Sequence, residues 1–163
     1  MFKYRGYDCL QIPEEIMQLI QLMQKKNVKT VLEIGYYQGA LHQLFKDFNF
    51  DVASIDIQPN IIQEGHKKEL LICDSQELRN NFMPPTFKWD MVFIDGNHNY
   101  DHCLKDCLFY SHIATKLIVV DDYNNYDVNM ASIKALDLPN YKFISDDNQN
   151  KNWNGLAVWE IAQ

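Results

Sequence analysis

Val31-Leu-Glu-Ile-Gly35-Tyr-Tyr-Gln-Gly39 decides the fold of this chain. Val31–Ile34 is an apolar run of strand length, and Gly35 and Gly39 then bend the chain before an amphipathic stretch that predicts a helix. A glycine-bent junction of this kind lets the backbone turn tightly and approach a ligand, because no Cβ stands in the way. Nucleotide-phosphate loops take other forms, either G-x-G-x-x-G or a Gly-Lys-Ser/Thr ending. Neither is present, so a pyrophosphate ligand is disfavoured. Glu33, two residues before the first glycine, adds an acid at the end of the strand.

The same alternation extends in both directions. Before it, Ile12–Lys26 predicts a helix, with Pro13, Glu14 and Glu15 in the first turn and Lys25 and Lys26 at the end, as the helix dipole prefers. After it, strands are predicted at Asp51–Asp56, Glu69–Cys73, Asp90–Asp95 and Lys116–Asp121. Helices are predicted near Gly39–Phe48, Asn60–His66, Ser75–Phe82, Tyr100–Ile113 and Val128–Leu136. Apolar strands separated by helices imply a parallel sheet covered on both faces. The rhythm then changes, because Tyr141–Ser145 and Leu156–Ile161 are strands with only the polar 146–155 stretch between them. A closing antiparallel hairpin is the simplest solution. The expectation is an α/β fold: a Rossmann-like, mostly parallel seven-stranded sheet with a C-terminal antiparallel hairpin and helices on both faces. One domain spans 1–163, with 1–27 as an N-terminal segment and helix and 28–163 as the core.

Composition narrows the function. With 163 residues, 47% hydrophobic and 23% charged, the chain has ordinary globular usage. It contains no apolar run of about 18 residues that could span a bilayer, and no signal segment is apparent at its start, so membrane partners are not expected and a cytoplasmic location is. A net charge of −7 argues against non-specific nucleic-acid binding, which needs a basic surface. Cys9, Cys73, Cys103 and Cys107 show no C-x-x-C spacing and read as reduced thiols rather than metal ligands.

In a sheet of this type ligands bind beyond the carboxyl ends of the strands. The first strand ends at Glu33 and Gly35, the second at Asp56-Ile57, the third at Asp74-Ser75. Asp56 is placed to accept hydrogen bonds from ribose hydroxyls. Asp74 and Ser75 could hold an adenine amino group or cap the next helix. The fourth strand runs out through Asp95-Gly-Asn-His98-Asn-Tyr100 and the fifth through Asp121-Asp122-Tyr123. Neighbouring strand ends would gather Asp95, Asp121 and Asp122, and three carboxylates in one cleft call for a cation. Mg²⁺, a hard ion that takes oxygen ligands, suits them. Tyr36, Tyr37, Tyr123, Tyr126 and Trp153 are expected near the mouth, where they could stack on a sugar or aromatic acceptor.

Glu33-x-Gly35-x-x-x-Gly39 resembles motif I of the class I S-adenosylmethionine (SAM) methyltransferases, and Asp56, Asp74 and Ser75 match the positions that follow. Asp95-x-x-His98-x-Tyr100, the Asp121-Asp122 pair and the opening Gln11-Ile-Pro13 resemble one branch of them: the sugar and small-molecule O-methyltransferases related to the macrocin and mycinamicin enzymes and the cephalosporin-hydroxylase-like proteins. The resemblance covers residues 28–161. It implies SAM as cofactor, held by Glu33, Gly35, Gly39, Asp56, Ile57, Asp74, Ser75 and Asp95. It further implies Mg²⁺ on Asp95, Asp121 and Asp122, His98 as general base, and a hydroxylated small molecule or saccharide as acceptor. Only residues 1–12 could roof the acceptor; otherwise a neighbouring subunit closes the pocket, or the substrate is large and bound openly. A metal-free methyltransferase of protein or nucleic acid, or a non-catalytic SAM-binding subunit, are the alternatives.

Overall fold

The structure, a computed structural model, describes residues 2–81, 88–145 and 154–161. Trp153, Phe82, Pro84-Pro85 and most of the polar stretch between the last two strands lie outside the described residues.

The chain begins with a hairpin, β1 (Phe2–Tyr4) and β2 (Tyr7–Cys9), followed by α1 (Pro13–Lys25). The alternating series is β3 (Thr30–Ile34), α2 (Ala40–Asp47), β4 (Asp51–Asp56), β5 (Leu70–Ile72), α3 (Ser75–Asn81), β6 (Trp89–Ile94), α4 (Tyr100–Tyr110), β7 (Ala114–Val120) and α5 (Tyr126–Leu136). It closes with β8 (Tyr141–Phe143) and β9 (Leu156–Glu160). The main sheet runs β5-β4-β3-β6-β7-β9-β8, with β9 antiparallel to both neighbours and the other pairs parallel. This is the expected seven-stranded sheet.

Side chains alternate across it by the period of two. Val31, Val52, Met91, Phe93, Leu117 and Val119 pack on one face with Leu19 and Met23 of α1 and Phe45 of α2. Leu32, Val92, Ile94, Ile118 and Val120 pack on the other with Cys107 and Tyr110 of α4 and Ala131 of α5. Glu33 in β3 and Ser54 in β4 share the α1/α2 side by the same parity.

Local chemistry moved some boundaries. The helix expected near Asn60–His66 is only a short 3₁₀ turn, Glu64–His66. The α5 helix begins at Tyr126, two residues before the expected start, because the Asn125 side chain caps it by accepting from the N–H groups of Asp127 and Val128. The β1–β2 hairpin was not expected. Arg5 (φ 49°) and Gly6 (φ 91°) form its two-residue turn with both φ values positive. Tyr4 and Arg5 then pin it to α2, donating to Asp47 at 2.6 and 2.8 Å. No helix among the described residues is long and apolar enough to cross a membrane.

Glu15 ties the closing hairpin to α1. It is buried, and its two carboxylate oxygens accept from the backbone N–H groups of Ser145 at 2.7 Å and Gly155 at 3.0 Å. Glu15→Ala leaves both donors without their acceptor and is expected to cost about 2–4 kcal/mol in unfolding free energy. Chemical denaturation checks this; a loss below about 0.5 kcal/mol would show that the carboxylate does not hold the hairpin.

Candidate functional site

The register of the three central strands builds the site. Gly35 donates to the Ile55 carbonyl at 2.8 Å, Asp95 to the Ile34 carbonyl at 2.8 Å and Asp121 to the Ile94 carbonyl at 3.0 Å. Each strand end is therefore laced to its neighbour, and Gly35, Asp95 and Asp121 emerge side by side. Beyond them opens a cavity of about 440 Å³, lined by Gly35, Asp56, Ile57, Asp74, Ser75, Asp95, His98 and His102 among others.

The glycines serve packing inside the protein. A Cβ on Gly35 (φ 99°) would stand 1.9 Å from the Asp95 carbonyl oxygen, so this glycine lets the ends of β3 and β6 abut. A Cβ on Gly39 (φ 72°) would meet the Tyr36 ring at 2.3 Å. Gly39 therefore makes room for a buried tyrosine, and it does not line the cavity.

Asp56 organises the loop. Its Oδ2 accepts from the backbone N–H groups of Tyr36 and Tyr37 at 2.9 and 2.8 Å, and its Oδ1 from that of Gln58 at 2.8 Å. A carboxylate has about four acceptor positions, so one remains for a ligand in the cavity. Ile57, 68% exposed, offers an apolar wall next to it. Asp74 Oδ1 accepts from Gln76 N–H at 2.8 Å, the helix-capping role, while its residue still lines the cavity. The Ser75 hydroxyl turns to Asp106, donating to both carboxylate oxygens at 3.0 and 3.1 Å. Burial pushes that Asp106 carboxyl up to about 6, against the pull of Ser75. Glu33 lies beneath the loop, fully buried, in contact with the Ser54 hydroxyl; burial holds its carboxyl well above the ordinary range.

Two cavity-lining residues, Asp95 and His98, have ligand atoms within 4.8 Å of one another and of Asp122. His98 Nε2 lies 3.0 Å from Asp122 Oδ2 and 3.5 Å from Asp95 Oδ1. Hydrogen bonds to Asp122 and then Asp95 raise His98 to about 10, overcoming its burial. Burial lifts Asp95 to about 6, with the neighbouring negative charge of Asp122 adding to it and His98 opposing.

Asp121, expected as a third metal ligand, stands outside this group. Its carboxylate accepts from Gln11 Nε2 at 3.0 Å and from the Asp122 N–H at 2.9 Å. The backbone turns between the two acids: Asp122 lies beyond β7 with a φ of 53°, a left-handed conformation that ends the strand's alternation, and its carboxylate meets His98. Gln11 was quoted in the sequence without a role. Its one amide nitrogen also donates to Asp95 at 2.6 Å, so it spans two carboxylates. Burial, followed by the charges of Asp95 and Asp122, pushes Asp121 well above the usual carboxylate range. Asp95 and Asp122, with His98 beside them, form a donor set that fits a divalent cation.

One further cavity residue was not singled out from the sequence: His102, which stands four residues before Asp106 on α4, the spacing of one helix face. His102 lines the cavity and its Nδ1 lies 3.1 Å from Gln76 Nε2. The aromatic mouth takes another form: Tyr36 and Tyr123 are buried, whereas Tyr126 is 76% exposed.

No protein-family model matches the chain, and no curated protein resembles it in sequence. Solved structures do resemble it in shape. The O-methyltransferase TomG from Streptomyces achromogenes, in complex with SAM, superposes with a TM-score of 0.67 at 13% identity, covering 94% of this chain and 82% of that one. The CmcI protein, in a structure with Mg and SAM, gives 0.63 at 16% identity over 99% and 77% of the two chains. The N-methyltransferase NodS from Bradyrhizobium japonicum WM9 gives 0.66 at 14% identity over 90% and 94%. What the chain shares with them is the fold: the Rossmann-like methyltransferase sheet that ends in an antiparallel hairpin.

Proposed function

We propose that this protein is a SAM-dependent methyltransferase that acts, with Mg²⁺, on a hydroxyl of a small molecule or saccharide. The observation that carries the proposal is the joining of two half-sites in one cavity. Gly35, Asp56, Ile57 and Asp74 line the half suited to a nucleoside, and Asp95 with His98 lines the half suited to the reacting hydroxyl. The SAM and Mg complexes among proteins of the same fold support it.

In this reading Asp56 offers its remaining lone pair to the ribose, Ile57 packs on the base and Asp74 meets the adenine edge. Ser75 acts indirectly, by holding Asp106 against α3. Asp95 and Asp122 would hold Mg²⁺, which neutralises carboxylate charge and acidifies a hydroxyl beside it. Mg²⁺ favours oxygen ligands, which leaves the His98 imidazole as the group that takes the acceptor's proton at Nε2. The two carboxylates favour a proton on His98, and a cation held by them would offset that charge and bring the ring toward the range of a general base. Asp121 contributes through Gln11, whose amide sets the position of Asp95. Methyl transfer is an in-line displacement, so orientation supplies much of the rate. The β1–β2 hairpin is pinned to Asp47 and by the Asp8 N–H to Gln38 Oε1 at 3.0 Å, and Asp8–Gln11 line a small cavity with Gly35 and Asp95, so this part of the segment would partly cover the acceptor. The free thiols of the chain suit a reducing cytoplasm.

Calorimetric titration with SAM, with and without Mg²⁺, tests the proposal. Micromolar binding is expected, and Asp56→Ala is expected to weaken it at least about tenfold by removing an acceptor and loosening the loop. Absence of SAM binding to the unsubstituted protein would overturn the proposal.

A further inference from the structure

Beneath the Gly35 loop runs a buried polar chain that the proposed transfer chemistry does not use. Glu33 is 1% exposed, Ser54 is 1% exposed and His42 is fully buried. The Ser54 hydroxyl contacts Glu33 Oε2, and its oxygen lies 2.6 Å from His42 Nδ1. His42 Nε2 lies 3.0 Å from Glu69 Oε2, and Lys46 Nζ donates to the other oxygen of that carboxylate at 2.6 Å. A second buried ring, His66, stands 4.2 Å from His42, centroid to centroid.

The donors and acceptors can be counted. Gln43 donates its amide nitrogen to Asp47 at 3.0 Å, which leaves its oxygen to accept from His66 Nε2 at 2.8 Å. His66 Nδ1 then accepts from the Tyr36 hydroxyl at 2.9 Å, so His66 is neutral. Glu69 only accepts, so His42 Nε2 carries a hydrogen. Ser54 has a single proton and two neighbours that each want one, Glu33 and His42 Nδ1. One further proton must therefore sit on Glu33 or on Nδ1.

Two arrangements satisfy the links from Glu33 Oε2 through Ser54 to His42. In the first, Glu33 is a neutral acid that donates to Ser54, and Ser54 donates to a neutral His42. In the second, Ser54 donates to an ionised Glu33, and the Nδ1–H of an imidazolium donates to Ser54. They interconvert when the Glu33 O–H bond breaks toward Ser54 while the Ser54 proton passes to Nδ1, with no proton gained or lost. Burial raises Glu33 and lowers His42 to about 4, and both effects favour the first arrangement. The nearby Lys46 cation favours it too, while Glu69 offsets that influence.

Glu33 also lines a small cavity with Gly35 and Asp95, two residues that line the large one as well. A positive charge above Gly35 would stabilise an ionised Glu33. SAM carries a sulfonium charge that its thioether product, S-adenosylhomocysteine, lacks.

We infer that Glu33, Ser54 and His42 share one proton, and that a cationic ligand in the Gly35 cleft drives it from Glu33 through Ser54 to His42. The chain then prefers the sulfonium cofactor to the neutral product and releases the product more readily. The inference rests on SAM being the cofactor. Ser54 and His42 are positioning residues in this scheme, since neither touches the ligand.

Nitrogen-15 NMR of the histidine-labelled protein tests it, with His42 assigned from the signal lost in His42→Gln. On saturation with SAM, His42 Nδ1 is expected to move from an unprotonated to an imidazolium shift; with S-adenosylhomocysteine it is expected to stay unprotonated. Calorimetry of Ser54→Ala is expected to show the SAM-over-product affinity ratio falling about tenfold, chiefly through weaker SAM binding. An identical His42 state with both ligands, or an unchanged ratio in folded Ser54→Ala, overturns the shared proton while leaving the cofactor in place. If neither ligand binds the unsubstituted protein, the cofactor proposal itself falls and takes this inference with it. Should Ser54→Ala not fold, the NMR comparison on the unsubstituted protein decides alone.

Discussion

Asp122→Asn is expected to slow methyl transfer by about 10²–10³ while SAM affinity stays within about twofold of the unsubstituted protein. Asp122 holds His98 at 3.0 Å and is grouped with Asp95 at the reactive end, yet it does not line the nucleoside half of the cavity. Asparagine is the informative replacement because Asp122 has a φ of 53°, a left-handed conformation that asparagine tolerates and alanine resists. The substitution thus removes charge without straining the backbone. A metal contributes several kcal/mol at such a centre, which corresponds to a rate loss of about 10²–10³. Chelation with EDTA should imitate the variant in the unsubstituted protein, and adding Mg²⁺ should reverse only the chelated case. Full activity in Asp122→Asn, or indifference to chelator, would remove Mg²⁺ from the proposed function.

The contrast between Asp121 and Asp122 shows what a sequence of this kind can and cannot disclose. The strands of the sheet were legible because buried parallel strands need unbroken apolar runs, as in Leu117–Val120. Their carboxyl ends were legible for the same reason, and that located Asp56, Asp74, Asp95 and the Asp121-Asp122 pair. The side to which each acid turns was not legible, because Asp122 follows β7 in a left-handed conformation that breaks the period of two, and proximity in sequence suggested a shared ion. Partners were beyond reach. Nothing in the order of residues indicates that Ser75 meets Asp106, or that Asp56 accepts from the N–H groups of Tyr36 and Tyr37, since these depend on backbone orientation set by distant packing. The β1–β2 hairpin was hidden for a related reason. Strands of three residues leave little pattern, and the Tyr4–Asp47 and Arg5–Asp47 contacts that hold it join segments about forty residues apart in sequence.

Gly35→Ala is expected to be the most damaging single substitution in the loop, for a reason different from the one a ligand-approach argument supplies. At a φ of 99° any L-residue is strained, by about 1–3 kcal/mol. The added methyl would also lie 1.9 Å from the Asp95 carbonyl oxygen and 2.8 Å from its carbon. Both are backbone atoms, so no side-chain rotation relieves the clash. The end of β3 must withdraw from β6, which breaks the 2.8 Å bond from the Asp95 N–H to the Ile34 carbonyl at the centre of the sheet. Strain, overlap and the lost bond together predict a destabilisation of at least about 3 kcal/mol. Because Asp95 moves with its own backbone, its bond to Gln11 and its approach to His98 are disturbed in the same event. Gly39→Ala gives the matched comparison. Its clash is with the Tyr36 side chain and not with sheet backbone; that ring is buried and bonded to His66, so it shifts only at a cost, yet no ladder bond breaks and the smaller loss is expected there. Thermal and urea denaturation of the two variants side by side measures the difference. If Gly35→Ala is as stable as the unsubstituted protein, the two strands do not abut at this glycine, and the juxtaposition of Gly35 with Asp95 that underlies the site is wrong.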